Sequence, residues 1–447
     1  MARPMSLCGL ATALRDGMET AAGLVAHAIE RADMPAAAGV FTLRLDADAR
    51  RAAVAADHSR RSGGLAPFLG VPITIKDNIA LAGHPTTAGS RVLAGAPLAA
   101  EDAAVVTRLR KAGFIVLGRT NMTEFAFSGL GLNPHFGTPL NPAFADAEHI
   151  PGGSTSGGAV SVALGIVAAT IGTDTGGSVR IPAAFCGLVG FKPTASAVPS
   201  EGVLPLSASL DAVGVIASRV ADCRMVFDVI RQDEPRLAPP GDDLRIGVVS
   251  NYVMQGLNPG VQDAFEAGIA RMAAAGAHIE RIEIPILDTI PEMMRGGTLP
   301  AAEAFAWHRQ HLPHTSDADY DPRVISRIKP GGAITPASYE ALLGRRREII
   351  AAFEAAADRF DALAWPTVPM TAPAIEAFAE DEAYYRLNAL VLRNSTVVNL
   401  ADGCAISLPL PTDEAPVGIT LAAAGGRDDA LLAAALQVEA TLSSSQR

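Results

Sequence analysis

Two serines stand at the turns of glycine-rich motifs: Ser154 in P-G-G-S-T-S-G-G and Ser178 in T-D-T-G-G-S-V-R, with an almost uncharged apolar segment between them. Glycines permit a backbone tight enough to aim consecutive N–H groups at one point. Such a nest can hold an oxyanion, usually the largest electrostatic contribution in acyl transfer. A serine nucleophile also needs a base, most familiarly histidine. The chain has no G-x-S-x-G elbow, and of its nine histidines only His149 lies near a Gly-Ser turn. The remaining base candidate is Lys76, at the end of the apolar stretch L-G-V-P-I-T-I-K. A lysine can serve if burial lowers its pKa from about 10.4 toward neutrality, at a cost of about 4 kcal/mol. Ser154 would then relay the proton between Lys76 and Ser178. Alone, each Gly-Ser motif reads as a turn and Lys76 as a snorkelling surface residue; the three in combination point to acyl transfer.

The elements that must position these residues follow from apolar periodicity. Thr20 is a candidate N-cap for a helix with Leu24, Val25, Ala28 and Ile29 on one face. A stretch over 40–43 precedes a helix over 46–61, with Asp46 as its candidate cap. A strand ending at Lys76, a helix within 101–113 and a strand over 114–117 form a β-α-β unit. Strands are also expected over 244–250, 278–284, 362–365, 404–408 and 417–421, with helices over 259–276 and 428–442. The fold class is therefore α/β. The 121–141 loop, with Phe125, Phe127, Leu130 and His135, could wall a pocket. A polar segment over 303–347 reads as a helical insert covering the sheet. Its His308, His311 and His314 have a spacing that invites a metal, but Pro313 interrupts the helix and no carboxylate completes a site.

Composition bounds the function. The 447 residues are 49% hydrophobic with a net charge of −11, which offers no footprint for nucleic acid or an anionic membrane surface. Four widely spaced cysteines (Cys8, Cys186, Cys223, Cys404) suggest neither a disulfide framework nor zinc, and a reducing cytoplasm is the default. Cys186 reads as a small core residue. The apolar run near the N-terminus is short and ends at Arg15 and Asp16, unlike an export signal. The run over 157–172 falls short of a membrane span and reads as core.

The array G-G-S-T-S-G-G, then T-D-T-G-G-S-V-R-I-P-A-A-F-C-G-L-V-G-F-K-P-T, with V-P-I-T-I-K-D-N upstream, resembles the amidase signature family of serine hydrolases. The segments over 361–373 and 399–409, and P-V-G-I-T-L from Pro416, extend the resemblance across most of the chain. It implies a single α/β/α domain over 1–447 around a large mixed, mostly parallel sheet, with a signature core over about 66–200 and an insert over about 300–347. It implies Ser178 as nucleophile, Ser154 as bridging serine after a cis Gly153–Ser154 peptide, and Lys76 as base. Thr175, Gly176, Gly177 and Ser178 would supply the oxyanion-hole amides. Candidate substrate contacts are Phe127, Gly129, Leu130 and Arg180; Arg180 could meet a substrate carboxylate or brace its loop through Asp174 or a carbonyl. The implied activity is hydrolysis of the C–N bond of a small amide or amide-like substrate, including anilides, carbamates (urethanes) and, by extension, esters. No cofactor or metal is required, and the protein would act as a monomer or homodimer. The Phe-rich loop and the scarcity of basic pocket candidates lean toward a neutral, apolar acyl or aryl group. The alternatives are a catalytically silent binding protein and a glutamine-hydrolysing amidotransferase subunit. Thr155 and Gly158 depart from the commoner residues without touching the triad, whereas the N-L-A-D-G-C run adjoins the region that shapes specificity.

Overall fold

Central strands such as residues 72–76 and 169–174 are buried end to end, so they show no alternation of buried and exposed positions. That pattern arises when helices cover both faces of a sheet. The computed structural model describes residues 6–145, 147–235 and 243–444. These residues hold eleven strands in one sheet: β1 (Phe41–Arg44), β2 (Pro72–Lys76), β3 (Ile115–Thr120), β4 (Ala169–Asp174), β5 (Val189–Lys192), β6 (Ala212–Ala217), β7 (Arg245–Val249), β8 (His278–Ile282), β9 (Ala362–Pro366), β10 (Cys404–Pro409) and β11 (Gly418–Ala423). Their spatial order is β1-β3-β2-β4-β6-β5-β10-β11-β9-β7-β8. The edges are half-exposed β1 and charged β8, which suits strands with an unpaired side.

The mixed α/β sheet is as expected, but the expected predominance of parallel pairs is not. Six of the ten neighbour pairings are antiparallel and four are parallel. A strand buried on both faces carries no signal of direction, so its sequence could not distinguish the two.

Local chemistry explains several boundaries. Thr20 caps the Ala21–Ala32 helix, its hydroxyl accepting from Gly23 N–H at 3.0 Å. Asp46 does not cap the Asp46–Arg61 helix, because Leu45 holds that position. Instead Asp46 lies in the first turn, where an acid suits the helix dipole, and accepts from Arg44 at 3.1 and 2.7 Å.

The polar segment is helical, over Leu299–His311, Pro322–Ile328 and Pro336–Ala357. Carboxylates fasten it to the loops below. Glu303 accepts from Ser207 Oγ (2.8 Å), Ser209 N–H (3.0 Å), the Ser209 hydroxyl and Tyr339 OH (2.8 Å). Buried Glu124 accepts from Asp321 N–H at 2.8 Å and Ser90 Oγ at 2.6 Å, with His135 Nε2 at 2.9 Å. Among the described residues no helix is long and apolar enough to cross a membrane.

Candidate active site

Lys76 ends β2, and Thr173 lies near the end of its parallel neighbour β4. Both therefore reach the carboxyl edge of the sheet, where α/β folds gather ligands. Lys76 is fully buried. Its Nζ lies 2.8 Å from Ser154 Oγ, 2.8 Å from Thr173 Oγ1 and 3.2 Å from the Thr173 carbonyl. Burial pushes the amine down to about 7, against the opposing pull of Asp211 and Asp174. Burial likewise pushes the Asp211 carboxyl up to about 6, against hydrogen bonds from Thr175, Ser207 and Leu206.

Ser154 arrives on the loop before the Ser156–Ala163 helix, and the Gly153–Ser154 peptide is cis. Neighbouring backbone fixes this loop: Gly153 N–H donates to Gly129 O at 2.8 Å, Thr123 N–H to Ser154 O at 3.2 Å, and Thr155 N–H to Ser178 O at 3.2 Å. The last bond ties the two serine loops together. Ser178 lines a cavity of about 590 Å³, together with Thr175 and Gly176.

The turn carrying Ser178 is wound around Asp174. Its carboxylate accepts from Gly177 N–H at 2.8 Å, Val179 N–H at 3.1 Å, and Arg180 Nε and Nη2 at 3.0 and 2.8 Å. Burial alone would raise this carboxyl; Arg180, Lys192 and Asn399 hold it below the usual carboxylate range. Gly177 adopts φ +120°, and a Cβ there would collide with the Ser395 side chain, so glycine is required. Of the four expected oxyanion donors, the Gly177 amide is thus turned away and spent on Asp174. Among the described residues the Gly176 and Ser178 amides make no hydrogen bond with the protein.

Arg180 is fully buried, and its guanidinium is spent on Asp174, the Ser395 carbonyl (2.9 Å) and Asn399 Oδ1 (2.7 Å). It braces the loop and is not among the residues lining the cavity. Removing it would leave Asp174 buried without its counter-charge. Arg180→Ala is expected to destabilise the fold by about 3–5 kcal/mol, read by urea unfolding; a loss below about 1 kcal/mol would contradict the brace.

The other expected contacts divide. Phe127 lines the cavity. Gly129 does not: its N–H donates to Asn388 Oδ1 at 2.9 Å and its carbonyl holds Gly153. Leu130 packs among Ile150, Ile181 and Phe185. Phe125 turns to His308 and Tyr320. His308 lies 3.0 Å from the Tyr320 hydroxyl, and burial pushes its imidazole down to about 4. Cys186 is buried, which pushes its thiol up, away from nucleophilic use.

Sequence reasoning missed Thr173, Asp211 and Asn399. It also missed three arginines on the cavity wall, Arg327, Arg386 and Arg393, so the expectation of a pocket poor in basic groups is overturned. Two of them lie seven residues apart on the Asp381–Leu400 helix, a spacing that would have shown a shared face had the helix been recognised.

The family model described as "Amidase" matches residues 24–432. The chain is 36% identical to the 2-amino-5-chloromuconic acid deaminase of Comamonas testosteroni over 408 residues, covering 89% of this chain and 87% of that protein. It is 35% identical to a glutamyl-tRNA(Gln) amidotransferase subunit of Symbiobacterium thermophilum, covering 82% and 84% respectively. A crystal structure of an amidase superposes with a TM-score of 0.89 at 30% identity, over 98% of this chain and 100% of that one.

Proposed function

Because this chain belongs to the amidase signature family and is an amidase-type hydrolase of carbon–nitrogen bonds, we propose that it works through a Ser178 acyl-enzyme served by a Lys76–Ser154 proton relay. The observation that carries this reading is a fully buried amine, held near neutrality, 2.8 Å from the Ser154 hydroxyl. A neutral amine has two N–H groups and one lone pair. Thr173 offers two acceptors for the N–H groups, which leaves the lone pair to the Ser154 proton.

In the first step Ser178 Oγ bonds to the substrate carbonyl carbon. Its proton passes to Ser154, whose own proton passes to Lys76 Nζ. The carbonyl oxygen becomes an oxyanion facing the Thr175, Gly176 and Ser178 amides; Gly177 is left out, since its N–H serves Asp174. As the C–N bond breaks, the relay returns a proton to the leaving nitrogen. Water then attacks the acyl-enzyme by the same relay and frees the acid and Ser178. The same chemistry serves carbamates (urethanes) and esters.

The likeness to an amidotransferase component supports a second reading, glutamine hydrolysis on behalf of a partner. The cavity wall argues against it, because among the described residues no Asp or Glu lines it to meet the ammonium group of glutamine. We favour a free-standing hydrolase, monomer or homodimer, on a small-molecule substrate. One sheet carries strands from residue 41 to 423, which supports a single domain over 1–447. Four unpaired cysteines support a reducing cytoplasm.

The test is the pH dependence of kcat/KM on simple anilides and primary amides. The base must be neutral, so activity should fall about tenfold per pH unit below an apparent pKa of about 7 and level off above it. A rate independent of pH between 5 and 8 would count against Lys76 as base.

A further inference from the structure

We infer that the substrate of this site is an amide carrying a carboxylate, joined to it by an apolar spacer and held by Arg327 and Arg393. This rests on the Ser178 reading for which group reacts. The chain carries a net charge of −11, yet among the described residues the cavity wall has three arginines and neither Asp nor Glu. Buried arginines elsewhere are matched, Arg180 with Asp174 and Arg231 with Asp429. The half-buried Arg327 and Arg393 of the cavity have no carboxylate partner among the described residues.

Arg327 donates to the Phe127 carbonyl at 2.6 Å and lies 4.6 Å above the Phe127 ring, with no carboxylate partner among the described residues. Arg393 donates from Nε to Asn394 Oδ1 at 3.0 Å, while its Nη2 is buried with no hydrogen-bond partner. A guanidinium withdrawn from water without a counter-charge is costly, and an anion that enters the cavity offsets that cost. The planar guanidinium fork matches a carboxylate in particular. Arg386, two turns from Arg393 on the same helix, lies at its more exposed end. Leu206, Leu390 and Leu392 make the intervening wall apolar, which calls for a hydrocarbon or aryl spacer.

The experiment is calorimetric titration of the Ser178→Ala variant, which binds without turnover. The probes are monoamides from succinamate to suberamate and the matching diamides. At least one acid should bind on the order of 10- to 100-fold more tightly than its diamide, the range of a hydrogen bond to a charged group. That gap should narrow as salt rises and close when Arg393→Met or Arg327→Met is added. Arg393→Lys, which keeps the charge and loses the fork, should retain part of the gap, and it replaces Arg393→Met if circular dichroism shows that variant unfolded. Equal binding of acid and diamide throughout the series, or a gap unmoved by both arginine substitutions, would overturn the inference. Either result leaves the Ser178 reading standing, since that is judged by turnover and covalent labelling of the wild type.

Discussion

Ser178→Ala is expected to lower kcat on amides and anilides by on the order of 10⁴- to 10⁶-fold, the loss seen when a nucleophile is removed from a triad that acts as a unit. Ser178 lines the cavity, at the end of a turn fixed by Asp174 and tied to the Ser154 loop through Thr155. A panel of anilide, carbamate, ester and primary amide substrates, run on wild type and variant, measures the loss. A sulfonyl fluoride should label the wild type at Ser178, read by mass spectrometry, and leave the variant unlabelled. Substantial turnover by the alanine variant would sink the acyl-enzyme.

Lys76→Met should have the second-largest effect, and it acts in two directions. Activity should fall by on the order of 10³-fold or more, with loss of the acid limb near pH 7, since no other base among the described residues touches Ser154. Stability should respond oppositely. The folded amine titrates near 7 and the unfolded one near 10.5, so between these values the unfolded chain binds a proton that the folded chain does not. Stability therefore rises with pH across that window and is lowest below pH 7, where the buried amine must be charged. The full span is of order 4–5 kcal/mol as an upper figure. Methionine removes that cost while giving up the bonds to Ser154 and Thr173. By calorimetry, the variant should gain in melting temperature relative to wild type at pH 6, and the gain should shrink or reverse by pH 10. A difference that does not change with pH would mean that Lys76 titrates normally.

Much of the site was legible because its residues sit where sequence patterns are sharpest. Ser154 and Ser178 stand in glycine turns and Lys76 closes an apolar strand, so their types marked them as candidates, and the resemblance to the amidase signature family assigned their roles. The run over 157–172 reads in the sequence only as core. It divides into the Ser156–Ala163 helix and β4, all buried except Ala163, and burial on every side erases periodicity. The Asp381–Leu400 helix escaped for the opposite reason. Its buried positions include Asn388, Asn394, Ser395, Thr396 and Asn399, so it shows no apolar stripe. Most of those polar side chains bond to loops far away in the chain, as Asn388 does to Gly129 and Asn399 to Asp174, which no local window can contain. With the helix unrecognised, Arg386 and Arg393 could not be placed on one wall, and the pocket looked neutral.

That helix has two working faces. Asn388, Ser395 and Asn399 form one stripe, bonded to Gly129, Gly176, Asp174 and Arg180. Arg386, Ala389, Leu390 and Arg393 form another, turned to the cavity. On the proposed reading, the support of the Ser178 turn and the contacts to substrate thus share a single helix yet occupy separate rows of side chains. Sequence drift along the second row could change what is accepted while the first keeps the nucleophile in place. A scaffold arranged this way can acquire new substrates without reinventing its chemistry.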